Sequence, residues 1–492
     1  MHEFFRLDAE ITQISDINNY MEKRTFTSAE YFFGSAESHN TLEIPDALKS
    51  QINEIVKHPG CDENYPVKIM PDAHPGVGSC VGSVIPLKGV VVPSFIGDDI
   101  GCGMTATKLN LSRLDLPSDL SVIRSAIEAT IPMGRSNNGE KGDIGKWQHS
   151  PSFLEQDPST WTKTDKYFMS VKETWARDFT PKLEQLVCPK KSYQSLKKLD
   201  FSDNLGTLGT GNHFIEITFD FAGNLDDSSM NNQKDELWIL VHSGSRGLGS
   251  KLGHFFSDLA EKTCKSVLLD RFIDTKKYGY LSLGSDDFNN FLKAQKICLD
   301  FAKESRSIMT KIVIDILSES TGKTVEKIGE EISISHNFIE KLDIHSSSKT
   351  NTKTASKKQL SSLKDTSNKM FVTRKGAIKL KSGEKAIIPG AMGRQTYIVQ
   401  GTGHSDSYCS CSHGAGRVLS RGLAKGVPVE KHINDLQGVE CDKSEAVLDE
   451  TPSAYKDIEK VIQVQKDYGM LKTLSILKPL ICCKGIDRAH NK

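Results

Sequence analysis

The sequence predicts an α+β fold, strands and helices mixed in a single domain over residues 1–492. Three observations lead there. Short apolar runs at 67–70, 83–86, 214–219 and 237–241 are each bounded on at least one side by glycine, proline or histidine, the punctuation of buried strands. Between them lie longer segments with apolar residues three and four apart, the period of helices. No composition break splits the chain, and the chemically distinctive residues spread from 72 to 484. That spread predicts one domain carrying insertions.

Taken in order, residues 45–58 space Leu48, Ile52, Ile55 and Val56 as an amphipathic helix with proline at its start. Residues 67–70 read as a strand, 71–78 as the loop after it, and 83–86 and 89–93 as short buried strands. Residues 119–131 read as a helix capped by Ser118, followed by a Gly/Ser/Asn-rich loop at 134–145. Residues 165–186 are helical in pattern. A glycine cluster at 206–211 feeds a strand at 214–219, and a polar loop at 224–235 leads to a strand at 237–241. Helices are expected at 253–268 and 287–317, then a strand at 332–335. Residues 346–368, mostly Ser, Thr, Lys and Asn, read as a disordered insertion, because they bury too little apolar area to offset ordering entropy. Structure resumes at 370–373, 386–389 and 397–400. An amphipathic helix at 454–474 and a final apolar segment at 479–484 follow.

Composition narrows the function. Lys plus Arg and Asp plus Glu are 63 each, so no overall basic charge points to nucleic acid, and any such surface must be local. No stretch reaches the roughly 20 apolar residues that cross a bilayer, and no signal peptide opens the chain. Eleven scattered cysteines suit a reducing compartment, the cytoplasm or alternatively the nucleus, rather than a disulfide framework.

The chemistry gathers at strand ends. Residues 97–104, Gly-Asp-Asp-Ile-Gly-Cys-Gly-Met, place two carboxylates and a thiol within a tight turn. Alone this reads as a glycine-rich turn with an inert cysteine. His213, His242 and His336 each stand at a comparable strand end, and with Asp99 and Cys102 they compose a metal-ligand set suited to zinc or manganese. Thiolate softness favours zinc, and a zinc ribbon is excluded because no CxxC pair exists. Cys409-Ser410-Cys411-Ser412-His413 could form a metal knuckle, but the glycines that follow suggest another task for the histidine. Glycines at 206–211 and 414–416 could bring backbone amides to a phosphate. Arg246 and Arg417, each four residues past a histidine, are phosphate-clamp candidates, with surface ion pairing the bland alternative.

Together these segments resemble the RtcB family of GTP-dependent RNA ligases, its bacterial-type branch in particular. The matching pieces are Pro71-Asp72-Ala73-His74-Pro75-Gly76, Asp99-Ile100-Gly101-Cys102-Gly103-Met104, Gly211-Asn212-His213-Phe214-Ile215-Glu216 and His242-Ser243-Gly244-Ser245-Arg246. His336-Asn337, Pro389-Gly390-Ala391-Met392-Gly393, Ser412-His413-Gly414-Ala415-Gly416-Arg417 and Lys484-Gly485 complete the order over residues 65–485.

The resemblance implies a compact domain with a metal and nucleotide cleft beside a sheet-rich core. It implies two Mn(2+) ions bridged by Cys102, one held with His242 and His336, the other with Asp99 and His213. His413 would be the nucleophile that attacks the α-phosphorus of GTP to give a histidine–GMP adduct. Asn212, His213, Phe214, Ile215, Glu216, His336, Asn337, Pro389, Gly390, Ala391, Met392, Thr396, His413, Gly414, Ala415, Gly416 and Lys484 match guanylate-contacting positions. Glu216 and Lys484 would address the base. The substrates implied are RNA 3′-phosphate or 2′,3′-cyclic phosphate ends and 5′-hydroxyl ends, as in tRNA halves, with an archease-type activator in some relatives. Arg246 and Arg417 would hold RNA phosphates.

Three departures stand out: Asp98 is an acid where the family usually has an uncharged residue, Ala391 replaces a common serine, and extra material lies near 220–235 and 340–370. All five ligand positions are filled, which argues against a non-catalytic RNA-binding scaffold. A metal-dependent phosphoesterase that opens cyclic phosphates without sealing is the alternative.

Overall fold

Gly103–Ser112 pairs antiparallel on both edges, Met104 facing His242 on one side and Gly103 facing Ser335 on the other. It belongs to an eight-stranded sheet in the computed structural model, which describes residues 29–34, 42–134, 147, 158–187, 201–221, 235–268, 275–342 and 369–486. The strand order is Lys385–Pro389, Thr396–Gly401, Leu471–Lys484, Phe214–Asp220, Glu236–Ser243, Gly103–Ser112 and Ile332–Ser335, with Glu440–Cys441 added beside Leu471–Lys484. The first and last of these strands lie against each other, so the sheet curls into a nearly closed barrel. A second sheet of five strands runs Ala29–Tyr31, Val67–His74, Val81–Lys88, Met370–Lys375 and Asn337–Lys341.

The chain crosses from one sheet to the other at a single residue, His336, between Ile332–Ser335 and Asn337–Lys341. The loop 97–102 is stitched into that crossing: His336 N donates to Cys102 O (2.9 Å) and Gly101 N to Asn337 O (2.9 Å). The Asn337 side chain donates to Asp99 O and accepts from Gly376 N. Gly103 has no room for a side chain, since a Cβ there would fall 2.0 Å from Ile334 O.

Underneath runs the helix Asp286–Thr321, capped by Ser285 Oγ at Phe288 N and ended by Gly322 at φ +65°. Its buried face carries Phe288, Phe291 and Phe301, and also Arg306, which donates to Thr105 Oγ1 and Ser243 O beneath the strands Gly103–Ser112 and Glu236–Ser243. Among the described residues, no helix is long and apolar enough to cross a membrane.

Most expected elements stand where the periodicity puts them, and four are corrected. The helix expected at 454–474 is Ile458–Asp467 only, and the strand Leu471–Lys484 absorbs the final apolar segment. Gly469 at φ +67° breaks the helix, and the apolar residues beyond it alternate along a strand rather than following a helical face. The loop expected at 71–78 is strand as far as His74, because a register shift between Ile69 and His74 accommodates Pro71. Of 89–93, only Val90–Val91 is extended, and Pro93–Ile96 is a helical turn. Ser118 does not cap the helix Ser121–Thr130; Asp119 accepts from Ser121 N instead. The expected insertion at 346–368 lies outside the described residues, as do 135–145 and 224–234 of the two polar loops.

Candidate active site

Three histidines enter one buried pocket from three strand ends, and each is oriented by its far ring nitrogen. His213 Nδ1 lies 2.9 Å from Leu208 O, His242 Nδ1 3.0 Å from Asn212 O, and His336 Nδ1 3.2 Å from Asn337 Oδ1. These oxygens only accept, so each Nδ1 carries the proton and each Nε2 presents a lone pair. The lone pairs converge. His242 Nε2 is 3.1 Å from His336 Nε2, and Cys102 Sγ is 3.4 Å from His242 Nε2 and 3.3 Å from His213 Nε2. Asp99 Oδ2 is 2.9 Å from His213 Nε2, while its Oδ1 accepts from Ser245 N.

Burial pushes the His242 and His336 imidazoles well below their usual pKa, with neighbouring histidines adding to the effect, so both are neutral. Two neutral acceptors at 3.1 Å repel unless a cation lies between them. The donors divide into two groups, Cys102–His242–His336 and Asp99–Cys102–His213, which share the sulfur. Thiolate, imidazole and carboxylate in two triads joined at one sulfur fit a pair of divalent cations. Asp98 belongs to neither group. It is 64% exposed and faces His254 at 3.7 Å. Nor do Cys409 and Cys411 join a metal group among the described residues.

His413 stands beside this cluster, its ring centroid 4.7 Å from that of His336. Its Nδ1 lies 2.7 Å from Asp72 Oδ2, which also accepts from His413 N and Gly414 N. Burial raises the Asp72 pKa, but the His413 hydrogen bond and charge outweigh it and hold the carboxyl below its ordinary value. Asp72 is therefore ionised and His413 Nδ1 is the donor, which leaves Nε2 free as a nucleophile. Lys456 Nζ donates to Pro71 O and Ala73 O, both at 2.8 Å, and fixes the backbone on either side of Asp72. Gly416, at φ +75°, lets the loop after His413 pass that backbone; a Cβ there would fall 1.9 Å from Asp72 O.

Several of the expected nucleotide positions touch or pair with one another. A Cβ on Gly414 would sit 3.3 Å from Pro389 O, so the glycine run and the segment Pro389, Gly390, Ala391, Met392 touch. Thr396 pairs with Pro389, and Met392 packs in the same apolar cluster as Phe214. Phe214 pairs with Lys484 and Glu216 with Cys482 across adjacent strands. Ile215 is buried in a different cluster with Leu208, so only its backbone is available at the site. Burial pushes the Glu216 carboxyl up to about 7, against the Cys482 hydrogen bond and the Lys484 charge. Ala415 is buried, and Asn212 holds His242 through its carbonyl.

The two arginines are less available than their spacing implies. Arg246, at φ +58°, donates to Thr207 Oγ1 and Gly134 O. Arg417 donates to Leu419 O, Asp449 O, Glu450 Oε1 and the Tyr455 hydroxyl. Its guanidinium is committed within the protein. Sequence reasoning assigned no role to Asp72, although it lies in a quoted motif, nor to Lys456 or Glu450, which have no motif signal of their own.

Two candidate metal-ligand triads that share one sulfur, beside a histidine whose Nδ1 faces a carboxylate, are compatible with a metal-dependent enzyme. The profile of the tRNA-splicing ligase RtcB family matches residues 51–485. RNA-splicing ligase RtcB of Escherichia coli K12 is 36% identical over 424 residues, covering 85% of this chain and 90% of the relative. The tRNA-splicing ligase RtcB of Nanoarchaeum equitans is 29% identical over 480 residues, covering 89% and 90%. RNA-splicing ligase RtcB homolog 1 of Entamoeba dispar is 28% identical over 453 residues, covering 85% and 78%. The chain belongs to the RtcB family of RNA-splicing ligases.

Proposed function

We propose that the protein joins RNA 3′-phosphate or 2′,3′-cyclic phosphate ends to 5′-hydroxyl ends, using GTP and two manganese ions. The observation that carries this reading is the His413–Asp72 pair at 2.7 Å beside His336, a member of the candidate metal set. Asp99, Cys102 and His213 would hold one ion and Cys102, His242 and His336 the other. When bound, such ions neutralise phosphate charge and orient in-line displacement.

The protein's own groups do the rest. His413 Nε2 donates its electron pair to the α-phosphorus of GTP, and the bond to pyrophosphate breaks. Asp72 keeps the Nδ1 proton in place and balances the charge that develops on the ring. An oxygen of the RNA 3′-phosphate then displaces His413 from the bound GMP, and the N–P electron pair returns to Nε2. The 5′-hydroxyl attacks the activated 3′-phosphate, loses its proton and expels GMP. A cyclic phosphate end is first opened by hydrolysis. The family relationship supports RNA as the substrate, with tRNA halves as the first choice for testing, in the cytoplasm or nucleus.

Incubation with α-labelled GTP and Mn(2+) should label the protein through an acid-labile, base-stable bond, and His413→Ala should not label. Equal labelling of His413→Ala would overturn the assignment. Cyclic-phosphate hydrolysis without GTP or joined product would choose the phosphoesterase alternative. Adding an archease-type protein to the same assay shows whether turnover needs an activator.

A further inference from the structure

Glu450 sits at the centre of a buried charge cluster that the ligase chemistry above does not use. Lys484 Nζ donates to its Oε2 at 2.9 Å, and both side chains are only 5% exposed. The Tyr455 hydroxyl donates to the same oxygen at 2.7 Å. Oε1 accepts from Arg421 at 2.6 Å and Arg417 at 3.3 Å. Three cationic side chains and one phenol thus surround one carboxylate, and the nearby Asp449 carboxylate takes only the Arg421 side of the cluster. The partners come from three places: Arg417 and Arg421 follow the nucleophile His413, Tyr455 precedes Lys456, and Lys484 ends the last strand.

Lys484 has two carboxylates in reach of its charge. It bonds Glu450, whereas Glu216, two residues along the neighbouring strand from its partner Phe214, feels it through space. Guanine presents acceptors at O6 and N7 and a donor at its 2-amino group. A lysine ammonium suits the acceptor edge and a carboxylate the donor edge. The two groups serve one base only if they stay apart instead of neutralising each other.

We propose that Glu450 is a positioning residue for base recognition, holding Lys484 on the acceptor edge of guanine and tethering it to the segment that carries the nucleophile. The proposal rests on the GTP reading above. Glu450 touches no nucleotide in it and acts through Lys484. Without its carboxylate, Lys484 is free to turn towards Glu216, and the penalty against adenine, whose amino group replaces O6, shrinks.

The test uses the full chain with Mn(2+) and labelled GTP or ATP, comparing wild type, Glu450→Gln, Lys484→Met and the double variant. Glu450→Gln is expected to raise the KM for GTP and to lower the GTP-over-ATP labelling ratio, each by about tenfold, the value of one charge-assisted hydrogen bond. Its maximal labelling rate should fall less than its KM rises. Glu450→Asp should restore part of the ratio, and carries the test if Glu450→Gln does not fold. In the Lys484→Met background, Glu450→Gln should add less than about twofold. An unchanged ratio, equal losses with both nucleotides, or multiplying effects of the two substitutions would overturn the proposal. Wild type that takes no label from GTP would overturn the ligase reading and this inference with it, a result distinct from any difference among the variants.

Discussion

His413 Nδ1 meets Asp72 Oδ2 at 2.7 Å across 341 residues of sequence. The carboxylate sits on the five-stranded sheet and the histidine opens a glycine run. The same oxygen takes the backbone N–H groups of His413 and Gly414, so ring and loop are oriented together.

That arrangement makes Asp72→Asn a tautomer test. An amide in place of the carboxylate can donate to Nδ1 and place the proton on Nε2, where it blocks attack. The single-turnover rate of GTP labelling should fall by about 100-fold or more, with the melting temperature little changed. A rate within about threefold of wild type would show that Asp72 does not set the reactive nitrogen.

The convergent lone pairs predict metal-linked stability. Mn(2+) should raise the melting temperature of the wild type in a saturable way, with about 3 kcal/mol of stabilisation for each bound ion at a hundredfold excess over its Kd. His336→Ala removes one ligand and the repulsion with His242, so it should melt close to the metal-free wild type and respond weakly to the ion. Calorimetric titration of Mn(2+) checks the ligand loss directly. Two ions per wild-type chain and no more than one tight ion in His336→Ala are expected.

Glu216 carries a stability cost that depends on pH. Its folded pKa, about 7, lies above the ordinary value of 4.5, so the folded state holds the proton longer than the unfolded chain. Stability from this group is therefore full below about pH 4.5 and declines as pH rises towards 7, by about 3 kcal/mol in all. Glu216→Gln should melt higher than wild type at pH 8 and show little difference at pH 4.5, while its preference for GTP over ATP falls. Denaturant unfolding at the two pH values measures the first effect and competitive labelling the second.

Gly416→Ala addresses the loop after His413. With φ +75° and a Cβ position 1.9 Å from Asp72 O, the methyl group forces the strand and loop apart. Labelling should fall by about tenfold or more, a larger effect than the roughly 1 kcal/mol expected of the backbone strain alone. Wild-type labelling in this variant would mean that the spacing is not needed.

Much of the site was legible because its chemistry is written in short local words. Asp99 and Cys102, the three histidines at strand ends and the glycines around His413 are residue types with few other uses in such company. The fold class was legible for a similar reason, since strand and helix periods survive in segments such as 214–219 and 287–317. The region 454–474 was not, because apolar residues every three or four positions fit a helix until Gly469 ends it and pairing with Thr396–Gly401 draws the remainder into the sheet.

By itself, then, the sequence determined which atoms are available: a thiol, a carboxylate, three imidazoles, a fourth histidine in a glycine run and a lysine at the end. Only the tertiary structure decided which of them meet. Strand register sets contacts between segments more than a hundred residues apart, such as Cys102 with His213 and His242. It also fixes which ring nitrogen keeps its proton, through carbonyls that no spacing rule names. The same packing turned Asp98, to which the sequence assigned no role, outward to His254, and closed Arg417 onto Glu450, although its place after His413 promised a phosphate contact. A side chain's use follows from what is folded against it, and that is a property of the whole chain.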